Sequence, residues 1–237
     1  MCHYSVYNLK SQYLHHSKIY TIFDILLYVN IEYIFVVLLV VLISLIFHEI
    51  MHAYTSFWLG DDTAKLEGRL TFNPIKHIDP FLTILLPITL AIANLPVFGG
   101  AKPVPYNPNN VRWGEWGSAL IALAGPITNL LLAFILFGFW VLAGLPSTGL
   151  VGQIFETAIV VNLGFFIFNM IPFPPLDGSR VLYALAPEFA RRLMEMLERF
   201  GILFIFLMIM FTGPSIGRFI LYVINFFLSI FSRIYGV

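Results

Sequence analysis

The sequence contains few charged residues for its length. Only 11% of its 237 residues are Asp, Glu, Lys or Arg, whereas a soluble domain commonly contains about 25%. Its hydrophobic fraction is 59% and its mean hydropathy is +0.87, so we expect an integral membrane protein. The 13 basic and 13 acidic residues cancel, and a chain without excess positive charge is not expected to bind nucleic acid.

Cysteine is almost absent. The only cysteine, Cys2, excludes a disulfide within the chain and a zinc site built from cysteine thiolates. Any metal site must therefore use His, Asp or Glu. The chain also shows no internal repeat or low-complexity tract, and its length allows one membrane domain but no sizeable soluble domain.

Histidines occur where charge is scarcest. Between Tyr33 and Gly60, Glu49 is the only Asp, Glu, Lys or Arg, and it lies in the motif His48-Glu49-x-x-His52. A helix places residues i and i+4 on one face, so both imidazoles can reach one metal ion. Glu49 lies about 100° further round the helix, where it can act as a general base toward water. Ionisable groups in a membrane helix usually mark function.

Three apolar stretches are long enough to cross a bilayer, at about residues 33–59, 117–144 and 155–171. The sequence thus predicts an all-α polytopic membrane protein with a three-helix catalytic core. C-terminal helices should follow. Residues 179–199 are typical of an amphipathic stretch at the membrane interface. The short apolar segments at about 200–212 and 219–231 flank Gly213-Pro214 and can form a hairpin.

The distribution of positive charge predicts orientation. Residues 60–79 contain Lys65, Arg69 and Lys76, and residues 178–199 contain four arginines, whereas residues 145–154 contain no Lys or Arg. We therefore expect the first two segments in the cytoplasm and the third outside. This arrangement closes only if residues 81–98 do not cross, so we predict a re-entrant hairpin there. Either the extended, proline-rich segment 101–108 or the 81–98 hairpin can offer an edge to which a substrate adds as a strand. The alternative is that these prolines only shape a loop.

A third metal ligand is needed, because a catalytic zinc takes three protein ligands and leaves one position open. The candidates are His77, Asp79, Glu67, Glu156 and Asp177. Position favours Asp177, since it follows the third span on the side to which the first span brings its histidines. The alternative is that Asp177 caps the next helix, where aspartate is a preferred residue.

Four motifs in order carry a resemblance to a known family: His48-Glu49-x-x-His52, Gly68-Arg69-Leu-Thr-x-Asn73-Pro74-x-x-His77-x-Asp79-Pro80, Ala124-Gly125-Pro126-x-x-Asn129 and Asn169-x-x-Pro172-x-x-x-Leu176-Asp177-Gly178. Together they resemble the site-2 protease family of intramembrane zinc metalloproteases, in its short prokaryotic branch without a PDZ domain. The resemblance covers about residues 33–178.

The resemblance implies hydrolysis of a peptide bond in or near a transmembrane segment of a membrane-protein substrate. One Zn²⁺ per chain would be bound by His48, His52 and Asp177, with Glu49 as general base. Two asparagines, Asn169 and Asn129, would line the active site. We expect a multi-pass protein of the cell membrane whose active site faces the cytoplasmic side. Substrate-binding residues and oligomeric state are not indicated.

Other interpretations keep the same residues but change their role. Histidines and carboxylates in spans also mark ion pathways, so a zinc or proton transporter is an alternative, as is a catalytically inactive adaptor that binds helices. For the domain organisation, we expect residues 1–30 to be an N-terminal extension at the interface or continuous with the first span. Residues 31–237 would form a single intramembrane metalloprotease domain with its core at residues 33–178.

Overall fold

The computed structural model describes residues 31–92 and 100–237. Within these ranges the chain forms helices and turns and no β-strand. The α-helices are α1 (Ile31–Trp58), α2 (Thr63–Leu66), α3 (Leu86–Ile92), α4 (Glu115–Leu142), α5 (Gly149–Asn169), α6 (Gly178–Leu185), α7 (Glu188–Arg199) and α8 (Gly201–Tyr235). A π-helical segment, Pro80–Leu85, precedes α3 directly. The N-terminal extension predicted at residues 1–30 lies outside the described residues.

Four of these helices are long and apolar enough to cross a membrane, at Glu32–Trp58, Glu115–Leu142, Gly149–Asn169 and Gly201–Tyr235. The first three coincide with the three spans predicted from the sequence. The prediction of an all-α polytopic membrane protein is therefore confirmed.

The C-terminal segment differs from the prediction of a hairpin. Gly201–Tyr235 is one helix of 35 residues that continues through Pro214, so the hairpin is wrong. Proline removes one N–H from the helical ladder, but an apolar environment strongly favours keeping the other backbone bonds within the helix. The hydroxyl of Thr212 donates to the carbonyl of Met208 just before the proline.

Residues 178–199, predicted as one amphipathic stretch, form the two helices α6 and α7. The break falls at Ala186 and Pro187, where the backbone is extended. Proline biases its predecessor away from the helical region, which explains why α6 ends there. On α7, Phe189, Leu193 and Met196 are exposed, with the i, i+4, i+7 spacing of one apolar face.

The core is formed by spans that pack side by side. Apolar residues from three helices, α4, α5 and α8, make one buried cluster: Ala133, Phe137, Ile159, Leu163, Ile167, Ile224 and Phe231. A second cluster joins α1 to α5 through Val36, Val40 and Ala158. Because α1, α4 and α5 bury apolar surface against one another, polar residues on their facing sides become enclosed.

The segment after residue 80 returns to the place where it started. The N–H of Gly100 donates to the carbonyl of Leu82 at 3.2 Å, and the hydroxyl of Thr83 donates to the carbonyl of Gly100 at 2.7 Å. The two ends of the segment are therefore adjacent, as a segment that does not cross the membrane requires. Residues 93–99, which include the last part of the predicted hairpin, lie outside the described residues.

A buried carboxylate fixes the connection after α1. Asp61 is fully buried and accepts hydrogen bonds from the Ser56 hydroxyl at 3.0 Å, the Thr63 hydroxyl at 2.6 Å and the Asn107 N–H at 2.9 Å. Burial alone would raise the pKa of Asp61, but the hydrogen bonds that it accepts outweigh this effect and lower the pKa. The extended segment 101–107 is thereby tied to the end of α1.

Candidate metal centre

His48 and His52 face the same side of α1. Both are buried, and their Nε2 atoms are 3.0 Å apart. This closeness follows from the i, i+4 spacing, which stacks side chains one turn apart on a helix. The two nitrogens form the first part of a possible metal site.

Asp177 completes the group from the connection between α5 and α6. Its Oδ2 lies 3.1 Å from Nε2 of His48 and 3.5 Å from Nε2 of His52. Asp177 also occupies the N-cap position of α6, yet its side chain makes no capping hydrogen bond there. The side chain of Asp177 therefore does not cap α6.

Gly178 makes this position of Asp177 possible. A Cβ atom at Gly178 would lie 2.5 Å from the carbonyl oxygen of Met170, a distance that side chains do not tolerate. The chain can thus fold back tightly between the end of α5 and the start of α6. This tight turn aims the preceding carboxylate at α1.

Two of the other candidates for the third ligand, His77 and Asp79, make hydrogen bonds elsewhere. Nε2 of His77 is hydrogen-bonded to the carbonyl of Thr71 at 2.8 Å, and Asp79 accepts from the first N–H groups of the π-helical segment. Among the residues that the structure describes, one group of at least three His, Cys, Asp or Glu has its ligand atoms within 4.8 Å of one another: His48, His52 and Asp177.

The second nitrogen of His52 is held by the backbone of α4. Nδ1 of His52 lies 2.7 Å from the carbonyl oxygen of Ile121. Because a carbonyl oxygen can only accept, this nitrogen must carry the hydrogen in the neutral ring. The lone pair of the imidazole is therefore on Nε2, the atom that faces His48 and Asp177.

The second nitrogen of His48 is held by side chains instead. Nδ1 of His48 lies 2.6 Å from Oδ1 of Asn129, a residue with no exposed surface. The amide nitrogen of Asn129 donates to Oδ1 of Asn162 at 2.8 Å and to the carbonyl of Ser44 at 3.3 Å. Oδ1 is consequently the atom that faces His48, so Nδ1 of His48 donates and its Nε2 also carries a lone pair.

Three acceptor atoms thus meet without a hydrogen between them. Oδ2 of Asp177 is buried and has no hydrogen-bond partner among the described residues, and it faces two nitrogen lone pairs. A cation held between the three atoms would remove the repulsion between them. In a tetrahedral zinc site with bonds of about 2.0–2.1 Å, ligand atoms are roughly 3.3 Å apart. The observed separations of 3.0, 3.1 and 3.5 Å and the His₂Asp donor set fit zinc.

Gly125 allows α4 to approach the two imidazoles. A Cβ atom at this position would lie 2.5 Å from Nε2 of His52 and 2.7 Å from Cε1 of His48. Ile121, Gly125 and Asn129 are spaced four residues apart and so form one stripe on α4. This stripe lies along His52 and His48 in reverse order of sequence, so α4 runs antiparallel to α1.

The remaining predicted site residues occupy different surroundings. Glu49 is buried on α1 next to His48. The side-chain amide of Asn169 donates to the carbonyl of Phe165 on its own helix at 3.0 Å. This nitrogen is therefore hydrogen-bonded within α5 and not to the histidines. Asn129, in contrast, contacts a candidate ligand directly.

Sequence reasoning missed Asn162 and the part that Ser44 plays. Asn162 is 2% exposed and Ser44 is 3% exposed, and both belong to the hydrogen-bond network behind His48. The signal was available in part, because a polar residue within an apolar span is costly to bury without a partner. Which partner it finds depends on the packing of helices distant in sequence.

Comparison with known proteins matches the chain to a peptidase family and to zinc metalloproteases. A model of peptidase family M50 matches residues 141–213. The chain is 39% identical over 190 residues to "Putative zinc metalloprotease YwhC" of Bacillus subtilis, covering 76% of this chain and 81% of that protein. It is 31% identical over 186 residues to "Putative zinc metalloprotease Rip2" of Mycolicibacterium smegmatis, covering 75% of this chain and 66% of that protein. No solved structure matches.

Proposed function

Since the chain belongs to peptidase family M50, the site-2 protease family, and is an intramembrane zinc metalloprotease, we propose that His48, His52 and Asp177 bind its zinc ion. Glu49 is the general base in this proposal. The observation that supports this proposal is that the Nε2 lone pairs of His48 and His52 face Oδ2 of Asp177, which has no hydrogen-bond partner among the described residues, in a buried site. When bound, zinc supplies the positive charge that polarises a carbonyl and makes water more acidic.

Glu49 performs the proton transfers. From its position on α1 beside His48, its carboxylate takes a proton from the attacking water and later gives it to the leaving amine. Its burial keeps the carboxylate in a low-dielectric environment, where a positioned charge acts more strongly than in water. The hydrogen bonds from Nδ1 of His48 and of His52 hold the imidazoles in one orientation during these steps.

The substrates are membrane proteins, and we propose cleavage in or near a transmembrane segment. His52 and His48 lie six and ten residues before the end of α1 at Trp58, which is about 9 and 15 Å along the helix axis at 1.5 Å per residue. A site at this depth reaches peptide bonds inside the bilayer. Because such bonds are hydrogen-bonded within the substrate helix, the helix must unwind locally before cleavage.

The site faces the cytoplasmic side in this proposal, within a single domain of residues 31–237. In the sequence, the connection of residues 60–79 follows α1, and α6 and α7 follow Asp177. Both segments carry the positive charges that favour the cytoplasm. Single cysteines from Asp62→Cys and Asn109→Cys, with Cys2→Ser, can be probed on intact cells with a membrane-impermeant thiol reagent. Protection of both is expected, and labelling of Asn109→Cys alone would overturn the re-entrant segment.

Metal analysis and peptide cleavage test the catalytic proposal together. Purified wild-type protein should hold one zinc per chain and cut a transmembrane peptide. Asp177→Ala should lose most of its zinc. Glu49→Gln should keep zinc and lose cleavage by about 100- to 10,000-fold, the usual range for general-base catalysis. The matched control is Glu156→Gln, which removes a carboxylate from α5 and should behave as wild type. Wild-type zinc content in Asp177→Ala would remove that residue from the ligand set.

A further inference from the structure

We propose that Asn162 is a positioning residue for the metal centre. Its side-chain amide fixes the orientation of the Asn129 amide, and Asn129 in turn fixes which nitrogen of His48 carries a hydrogen. This inference rests on the proposed function, because it concerns the nitrogen that His48 offers to zinc. Asn162 itself contacts no candidate ligand.

The orientation of Asn162 is set by the backbone. Its Nδ2 lies 2.8 Å from the carbonyl oxygen of Ala158 and 2.9 Å from the hydroxyl of Ser44. A carbonyl oxygen cannot donate, so the amide NH₂ of Asn162 must face it. Oδ1 of Asn162 is thereby turned the other way, toward α4.

The orientation of Asn129 follows from that of Asn162. Oδ1 of Asn162 accepts from Nδ2 of Asn129 at 2.8 Å, and the carbonyl of Ser44 accepts from the same nitrogen at a longer 3.3 Å. The shorter bond dominates, because hydrogen bonds weaken at the upper end of their distance range. Oδ1 of Asn129 then points at Nδ1 of His48, 2.6 Å away.

The reversed arrangement is strongly disfavoured. If the Asn129 amide flipped, its oxygen would face Oδ1 of Asn162 and its NH₂ would face His48, which would move the imidazole hydrogen to Nε2. A flip of Asn162 as well would only transfer the clash to the carbonyl of Ala158. Asn129 and Asn162 are 0% and 2% exposed, so water cannot replace the lost partners.

Asn162 could also serve only to join helices, because interhelical hydrogen bonds stabilise membrane bundles. Both roles predict that Asn162→Leu lowers the unfolding temperature. Only the positioning role predicts that the folded, metal-free proteins differ in the tautomer of His48, at a temperature where wild type and Asn162→Leu are both folded. That difference is the appearance of the Nε2–H tautomer of His48.

The experiment measures two quantities on the full-length protein in detergent micelles. Histidine ¹⁵N NMR of the metal-free protein reports the tautomer of His48, and competition with a chromophoric chelator reports zinc affinity. Wild type should show the Nδ1–H tautomer. Asn162→Leu should show a mixture of tautomers and bind zinc about 10-fold more weakly, the lower end of the range for residues that orient metal ligands.

Two further variants separate orientation from general damage. In Asn162→Asp, the carboxyl group in its protonated form donates to the carbonyl of Ala158 through its hydroxyl and accepts from Asn129 through its other oxygen, so the Nδ1–H tautomer should be retained. Thr157→Val removes a buried hydroxyl from the same helix and should leave both quantities unchanged. If Asn162→Leu does not fold, Asn162→Ala, which adds no bulk, is measured with the same expectation.

The outcomes distinguish this inference from the function on which it rests. A wild-type protein that binds no zinc would overturn the proposed function. A wild-type protein that binds zinc, beside a folded Asn162→Leu or Asn162→Ala variant with unchanged tautomer and affinity, would overturn only the role of Asn162. A mixed tautomer population with weakened zinc binding supports it.

Discussion

His48 and His52 present the same atom, Nε2, to the candidate metal centre but are held in different ways. Nδ1 of His52 meets a backbone carbonyl, that of Ile121. Nδ1 of His48 meets the side chain of Asn129, which other side chains orient in turn. The backbone support exists whatever residue occupies position 121, as long as α4 is helical. The side-chain support exists only while the right residues occupy α4 and α5.

The difference shows which substitutions can disturb the candidate metal centre. Substitutions reach the His48 side through residues that contact no metal, whereas the His52 side responds only to changes that move α4. Both supports share one stripe of α4, on which Gly125 lies between Ile121 and Asn129. A substitution at Gly125 should therefore disturb both supports, whereas substitutions at Ile121 and Asn129 test each support separately.

The largest effect is expected at the shared position. In Gly125→Ala the new methyl group would lie 2.5 Å from His52 and 2.7 Å from His48, so α4 must move away and both supports are lost. Zinc affinity should fall by more than the about 100-fold that bounds most changes behind a ligand. Chelator competition measures it, and Gly164→Ala, whose added atom would meet nothing within 4 Å, is the control. Unchanged affinity would mean that α4 does not approach the imidazoles this closely.

The ligand group could be predicted from sequence because its determinants are local. The i, i+4 spacing of His48 and His52 needs only a helix, and a helix is what an uncharged apolar stretch must form in lipid. Asp177 stood out because no other Asp, Glu, Lys or Arg lies between Glu156 and Arg180. The role of these residues as zinc ligands stays a proposal until metal is measured.

The supports behind the histidines could not be predicted from spacing. Asn129 entered only through the family resemblance, and Asn162 did not enter at all. Its partner Asn129 is 33 residues away and Ser44 is 118 residues away, so their contact depends on how three helices rotate against one another. The continuous helix α8 was missed for a different reason, because Pro214 signals a break in water more strongly than in lipid.

The next effect separates the two histidines. Asn129→Leu removes the acceptor of His48 while the carbonyl that holds His52 remains, so zinc affinity should fall about 10- to 100-fold. The corresponding substitution on the other side, Ile121→Val, keeps its carbonyl and should change affinity little. Equal losses in both variants, measured by the same chelator competition, would show that the two supports do not differ in kind.

The smallest effect is expected at Ser44, which contributes both kinds of support within one residue. Its carbonyl accepts from Asn129, and its hydroxyl accepts from Asn162. Ser44→Ala removes the hydroxyl and leaves the carbonyl, and Asn162 still has the carbonyl of Ala158 to fix its orientation. The amide orientations should therefore persist, with a loss of zinc affinity below the about 10-fold lower bound for changes that disturb a ligand's support. If Ser44→Ala lost as much zinc affinity as Asn129→Leu, the support of His48 would depend on the Ser44 hydroxyl rather than on the backbone carbonyls of Ser44 and Ala158.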